Sequence, residues 1–182
     1  MQAIPALAEL AGGIGDQMVR NQGTLGGSIA NADPAACYPA ALLALGATIR
    51  TPQRTIGADK FFTGLFETAL APGELVTSVE FPVPDQAAYV KFKQPASRFA
   101  LIGVCVAQTS SGVRVAVTGA KGNVFRATAI EATLAKSFTP EAAKGVRMPT
   151  TDINSDMHGT AEYRAAMISV MASRAVAAAL AR

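Results

Sequence analysis

The sequence predicts an α+β fold in which a helix- and turn-rich first half leads into a three-stranded antiparallel sheet closed by a helical bundle. Three observations carry this. Residues 88–94, 100–109 and 112–119 are strand-like, and Ser110-Ser111-Gly112 forms a hairpin turn between the last two. Helical segments rather than further strands follow, which is the α+β order. Pro82-Val83-Pro84-Asp85 reads as a linker, so the chain divides into domains 1–84 and 85–182.

The elements follow in order. Ile4, Leu7, Ala8 and Ala11 recur at helical spacing, and Gly12-Gly13 ends that helix, which covers residues 3–11. Residues 14–33 lack periodicity and read as loop. Asp33-Pro34 has the form of an N-cap followed by proline, with the helix proper beginning by Pro39 and Gly46 as its C-cap. Residues 47–51 and 54–56 make a strand pair around Pro52-Gln53. Residues 59–65 read as a short helix, Pro72-Gly73 as a turn and residues 75–82 as a strand. Beyond the sheet, residues 127–136 form a helix with Ile130 and Leu134 inward, Thr139-Pro140 opens a turn, and residues 160–181 form the last helix. Tyr163, Ala166, Met167, Val170, Ala177 and Leu180 mark one face of it.

Composition excludes several classes. Of 182 residues, 50% are hydrophobic, so a core is easily supplied. The net charge of +3 comes from scattered residues with no basic block, which argues against nucleic-acid binding. Cys37 and Cys105 are far apart and His158 is the single histidine, so no zinc or iron–sulfur spacing exists and no metal site is expected. Two isolated cysteines and no signal-peptide pattern point to a reduced, cytoplasmic setting. No apolar run approaches the roughly 18 residues of a membrane span.

The stretch Gly23-Thr24-Leu25-Gly26-Gly27-Ser28-Ile29-Ala30-Asn31-Ala32-Asp33-Pro34 carries the chemistry. Closely spaced glycines let a backbone approach a ligand without an intervening Cβ. Free N–H groups in such a turn bind an anion such as a pyrophosphate, and Thr24, Ser28 and Asn31 add side-chain donors and acceptors. By spacing alone the motif also fits plain chain reversal.

The run from Ile14 through Pro34 resembles the second flavin loop of the FAD-binding medium subunit of molybdenum hydroxylases, the family of xanthine dehydrogenase and aerobic carbon monoxide dehydrogenase. The resemblance continues through Pro72–Pro82, Phe92-Lys93-Gln94, Val113–Gly119 with Val124-Phe125-Arg126, and Ser155–Arg164, in order over nearly the whole chain. It implies a partial FAD-binding subdomain of the PCMH type followed by the C-terminal domain of such subunits. The first flavin subdomain of the family, with its own glycine-rich loop, is expected to be missing. The glycine-rich stretch would then lie exposed beside a cleft lacking its opposite wall, with Ile4 and Leu7 incompletely buried.

The resemblance implies FAD as cofactor. It implies a binding set of Thr24, Leu25, Gly26, Gly27, Ser28, Asn31, Asp33, Val76 and Lys93, with no catalytic residue and no metal ligand on this chain. Lys93 stands where a flavin-contacting lysine is usual, and Lys91 is expected on the same strand face. Cys37 stands where the family often carries aspartate and reads as a small packing residue. His158 reads as a surface or capping residue, and Glu162-Tyr163-Arg164 as a signature for packing and subunit contact. The implied function is electron transfer between an iron–sulfur small subunit and an acceptor, beside a molybdenum-cofactor large subunit. The alternative is a truncated docking module that no longer holds FAD.

Overall fold

The computed structural model describes residues 3–182. Its centre is a four-stranded antiparallel sheet in the order β6 (Gln86–Lys93), β7 (Ala100–Thr109), β8 (Gly112–Thr118), β9 (Phe125–Arg126). The three predicted strands are present, and the expected sheet gains β9. That strand pairs only Phe125 and Arg126 with β8 and is too short to leave a periodic pattern.

Helix α4 (Tyr38–Leu45) and α1 (Pro5–Gly12) cover one face of this sheet, while α7 (Ala161–Leu180) and α5 (Thr128–Leu134) cover the other. Side-chain alternation along β7 divides the core accordingly. Cys105 and Ala107 join Ala87 and Ala116 against the leucines of α4. Ile102, Val104 and Val106 join Val115 and Val117 against the alanines of α7. Small sheet residues therefore face the leucines of α4, and bulkier sheet residues face an α7 surface rich in alanine. Because both faces are covered, residues 100–107 are buried throughout. Helix α6 (Pro140–Lys144), capped by the Thr139 hydroxyl, packs on α7 and completes the bundle.

The inward face of α7 differs from expectation. Ala165, Ile168, Met171, Ala172, Ala175, Val176 and Ala179 are buried, whereas Tyr163 is 44% and Leu180 47% exposed. The buried face interleaves Ala165, Ala172, Ala175 and Ala179 with Ile168, Met171 and Val176, and it packs on the Val and Ile residues of the sheet.

The segment 14–33, expected as loop, contains two short helices: α2 (Gln17–Gln22) and α3 (Leu25–Asn31). No residue of α2 is buried, so no apolar period could reveal it; caps define both helices. The Asp16 carboxylate accepts from the Val19 N–H at 3.0 Å, and the Thr24 hydroxyl accepts from the Gly27 N–H at 3.0 Å. Asp33-Pro34 does not start a helix. Its carboxylate accepts from the Ala35 N–H at 2.8 Å in a turn, and α4 begins at Tyr38 with Pro39 in its first turn. Gly46 ends α4 in the left-handed region, as its position suggested.

Strands β1 (Thr48–Arg50), β2 (Thr55–Gly57) and β5 (Ser78–Glu80) form a separate sheet in the order β2-β1-β5. The helix expected at 59–65 is a single 3-10 turn, Ala58–Lys60, followed by the hairpin of β3 (Phe62–Gly64) and β4 (Glu67–Thr68). Fully buried Phe61, edge-on to Phe62 at 5.0 Å, anchors the chain there, and no second helical turn forms. Among the described residues no strand before Pro84 pairs with one after it, yet the α4 core draws Ala87, Cys105, Ala107, Ala116 and Val124 from the second half.

The β1–β2 turn is tied to the Ala71–Glu74 turn by one carboxylate. Glu74 accepts from Arg54 at 2.7 Å, from the Ala71 N–H at 2.7 Å and from the Thr51 hydroxyl at 2.7 Å. Arg54 foremost, then the Ala71 N–H and Thr51, hold its pKa down at about 2 from 4.5. A depressed carboxylate stabilises the fold fully above its unfolded pKa, and that contribution disappears as pH falls through the folded value. Thermal melts are expected to lose stability between about pH 4.5 and about pH 2, with a shallower loss in Glu74→Gln. Equal slopes in the two proteins would remove this assignment.

Candidate functional site

The glycine-rich stretch is the start of a helix. Thr24 in extended conformation caps α3, and Gly26 and Gly27 fall in its first turn. The Gly27 N–H is used by the Thr24 hydroxyl, while those of Leu25 and Gly26 have no acceptor among the described residues. Donors at a helix start favour an anion. A Cβ at Gly27 would stand 3.0 Å from the Thr24 hydroxyl oxygen, so a larger side chain would disturb the cap.

This helix start borders a cleft of about 620 Å³. Thr24, Gly27, Ser28 and Asn31 line it from α3, and Arg20 and Gly12 from the preceding segments. The Arg20 guanidinium donates to the Ile14 carbonyl at 2.8 Å and to the Gln17 side chain at 3.0 Å, which fixes a positive charge near the α3 start. A smaller hollow of about 250 Å³ shares Ile14, Val19 and Ser28 with the cleft and reaches Asp33, Cys37, Lys91 and Arg98. Gly23, Thr24 and Gly27 are exposed, and Ile4 and Leu7 are half-buried, as anticipated.

The sequence-predicted residues separate into three groups. Thr24, Gly27, Ser28 and Asn31 meet at the cleft, and Ser28 and Asp33 meet at the hollow. Leu25 and Val76 pack behind them against the α4 core, with Val76 also nearest to where a Gly26 side chain would project. Lys93 lines neither concavity. Strand alternation would put it on the face of Lys91, but Lys93 is the exposed last residue of β6, where the pairing skips Leu101 of β7. Lys91 takes the place beside the hollow, with Nζ 3.4 Å from Cys37 Sγ. Arg20 and Lys91 are the charges that pattern reading passed over. Arg20 sits at the end of a helix without periodicity, and Lys91 differs from Lys93 in lying half-buried within β6 rather than exposed at its end.

The loop after α3 is held by the central sheet. The Gly119 N–H donates to the Pro34 carbonyl at 2.7 Å, and the Thr118 hydroxyl contacts the carbonyls of Pro34 and Ala36. Arg164 continues this chain. It is buried on α7 and donates to the carbonyls of Gly119 at 2.9 Å and Leu101 at 3.0 Å, and to both Asp156 oxygens. Glu162 and Tyr163 of the same signature are exposed. His158 lies at the surface, edge-on to Phe99 at 5.9 Å. Among the described residues no group of three or more His, Cys, Asp or Glu could hold a metal, and no helix is long and apolar enough to cross a membrane.

Comparison with known proteins bears on this site. Residues 1–84 match the family described as FAD binding domain in molybdopterin dehydrogenase. The medium subunit of nicotine 6-hydroxylase from Paenarthrobacter nicotinovorans is 35% identical, over 98% of this chain and 68% of its own length. The medium chain of carbon monoxide dehydrogenase from Hydrogenophaga pseudoflava is 34% identical, over 98% and 68%. A solved structure of carbon monoxide dehydrogenase from that organism superposes with a TM-score of 0.83, covering 97% of this chain and 67% of that one. The chain thus spans about two thirds of the length of these relatives.

Proposed function

This chain belongs to the family of FAD-binding medium subunits of molybdenum hydroxylases, a family of oxidoreductase subunits with FAD as cofactor, and on that premise we propose that it works as the flavin-holding electron-transfer subunit of such a complex. One observation carries the reading: the capped, glycine-lined start of α3 opens directly onto the 620 Å³ cleft. The partners in this proposal are an iron–sulfur small subunit and a molybdenum-cofactor large subunit, and the setting is cytoplasmic.

The residues fit the group. Unpaired N–H groups at Leu25 and Gly26 suit a diphosphate, and Gly27 keeps the approach free of a side chain. The Ser28 hydroxyl and the Asn31 amide lie on the same wall, and Arg20 adds a positive charge. Leu25 and Val76 hold the helix from behind, and Asp33 borders the adjoining hollow. Bound FAD would supply a two-electron carrier able to pass single electrons. The chain's own part is to orient the diphosphate, exclude water from the cleft wall and set the charge around it.

The test is a titration of the purified chain with FAD, followed by flavin fluorescence. Saturable binding is expected, and Gly27→Val is expected to weaken it at least about tenfold, a cost of about 1.4 kcal/mol. A folded chain that leaves flavin fluorescence unchanged would favour the docking module instead.

A further inference from the structure

Three reactive side chains meet beneath the smaller hollow. Cys37 comes from the residue preceding α4; Tyr89 and Lys91, two apart, share a face of β6. Lys91 Nζ donates to Cys37 Sγ at 3.4 Å, across 54 residues of sequence. Cys37 is only 5% exposed, and it lines the hollow together with Lys91 and Arg98, so the hollow is the side from which a small solute would approach the pair. The Tyr89 hydroxyl is buried and makes no hydrogen bond among the described residues. It lies over Gly103, whose missing Cβ leaves the space it fills. Burial, and then the neighbouring Cys37, raise its pKa well above 10, so it stays a neutral phenol beside the sulfur. Cys105 differs: it is buried in the sheet, and burial pushes its thiol up to about 12.

A packing cysteine needs neither an amine at bonding approach nor an unused hydroxyl next to it. The geometry points to a modification site: we propose that hydrogen peroxide converts Cys37 and Lys91 into a reversible sulfur–nitrogen crosslink. In the first step the Cys37 sulfur attacks one peroxide oxygen. An S–O bond forms, the O–O bond breaks and water leaves; sulfur is oxidised by two electrons and peroxide is reduced. In the second step the Lys91 amine, its extra proton lost to solvent, attacks the sulfur of the sulfenic acid. The S–N bond forms, the S–O bond breaks, and the leaving oxygen takes the proton released at nitrogen and departs as water, with the neutral Tyr89 hydroxyl beside the sulfur. The sum is thiol plus amine plus peroxide giving sulfenamide plus two waters. Sulfenic acids condense with nitrogen in this way when the nitrogen is held close. The link would fix the start of α4 to β6 and close the floor of the hollow until a thiol reduces it.

The test uses the full chain with hydrogen peroxide and does not depend on FAD. Free thiols are then alkylated and the protein is digested with trypsin for peptide mass spectrometry. The expected product joins residues 21–50 to the peptide carrying Lys91, two hydrogens lighter than the two together, with no cleavage after Lys91. Dithiothreitol should release both peptides. Cys37→Ser should give no crosslink, and Lys91→Arg should leave Cys37 to proceed to sulfinic acid. Circular dichroism melts establish that each variant is folded; if either is not, the wild-type peptide map decides alone. Four wild-type results would overturn the proposal: Cys37 still alkylated, Cys37 as sulfinic acid with normal cleavage after Lys91, a Cys37–Cys105 disulfide, or a crosslink one oxygen heavier.

Discussion

Gly119→Ala is expected to destabilise the chain by about 3 kcal/mol or more, the sum of a strained backbone and an overpacked contact. Gly119 has φ of +85°, which side-chain-bearing residues rarely adopt. A Cβ there would stand 2.6 Å from the Leu101 carbonyl oxygen and closer still to that of Ala100. Both atoms are backbone of β7, so neither can swing aside. Any shift that relieves them also moves the Gly119 N–H off Pro34 and the Gly119 carbonyl off Arg164. Urea unfolding measures the loss, and a variant within 1 kcal/mol of wild type, on the scale of an ordinary surface change, would contradict this account.

Arg164→Met is expected to cost about 3 kcal/mol. Methionine can occupy much of the same volume, but the Leu101 and Gly119 carbonyls lose their donor in a buried place, at about 1–3 kcal/mol for each group left unpaired. The variant also changes an acid titration. Arg164, then the His158 N–H, hold the Asp156 pKa below its usual 3.8. The stabilisation from this pairing is complete above 3.8 and is lost as pH falls through the lower folded value. In Arg164→Met the Asp156 carboxyl, followed by NMR, should titrate nearer its usual value. An unmoved Asp156 titration would show that the pair does not act as described.

The difference between what the sequence disclosed and what it hid has a physical pattern. The strands 88–94, 100–109 and 112–119 were legible because a sheet covered on both faces needs long apolar runs, and Ser110-Ser111-Gly112 has hairpin chemistry. Gly46 was legible because a left-handed helix end favours glycine. Helix α2 was hidden because a cap rather than burial holds it, and α3 because Ile29 is its one buried residue and leaves no apolar period. The inward face of α7 was misjudged because alanine carries a weak hydrophobic signal although the sheet requires it there. Thr24, Gly27, Ser28 and Asn31 line one cleft because they lie in one contiguous stretch. Lys91 rather than Lys93 borders the hollow, and how deep each lies along β6 depends on strand pairing that one strand's sequence does not carry.

The opposite size preferences of the two faces of β7 also penalise a wrong register. A slip of one residue in β7 would exchange the faces. Ile102, Val104 and Val106 would then press into the leucines of α4, while Cys105 and Ala107 faced the alanines of α7 across a gap. One layer would be too thick and the other hollow, and neither helix could correct both. Sheets with equal residues on each face pay far less for such an error. Here the mismatch penalises the wrong register twice, which suits a long central strand whose neighbour carries the loop contacts at Pro34 and Ala36.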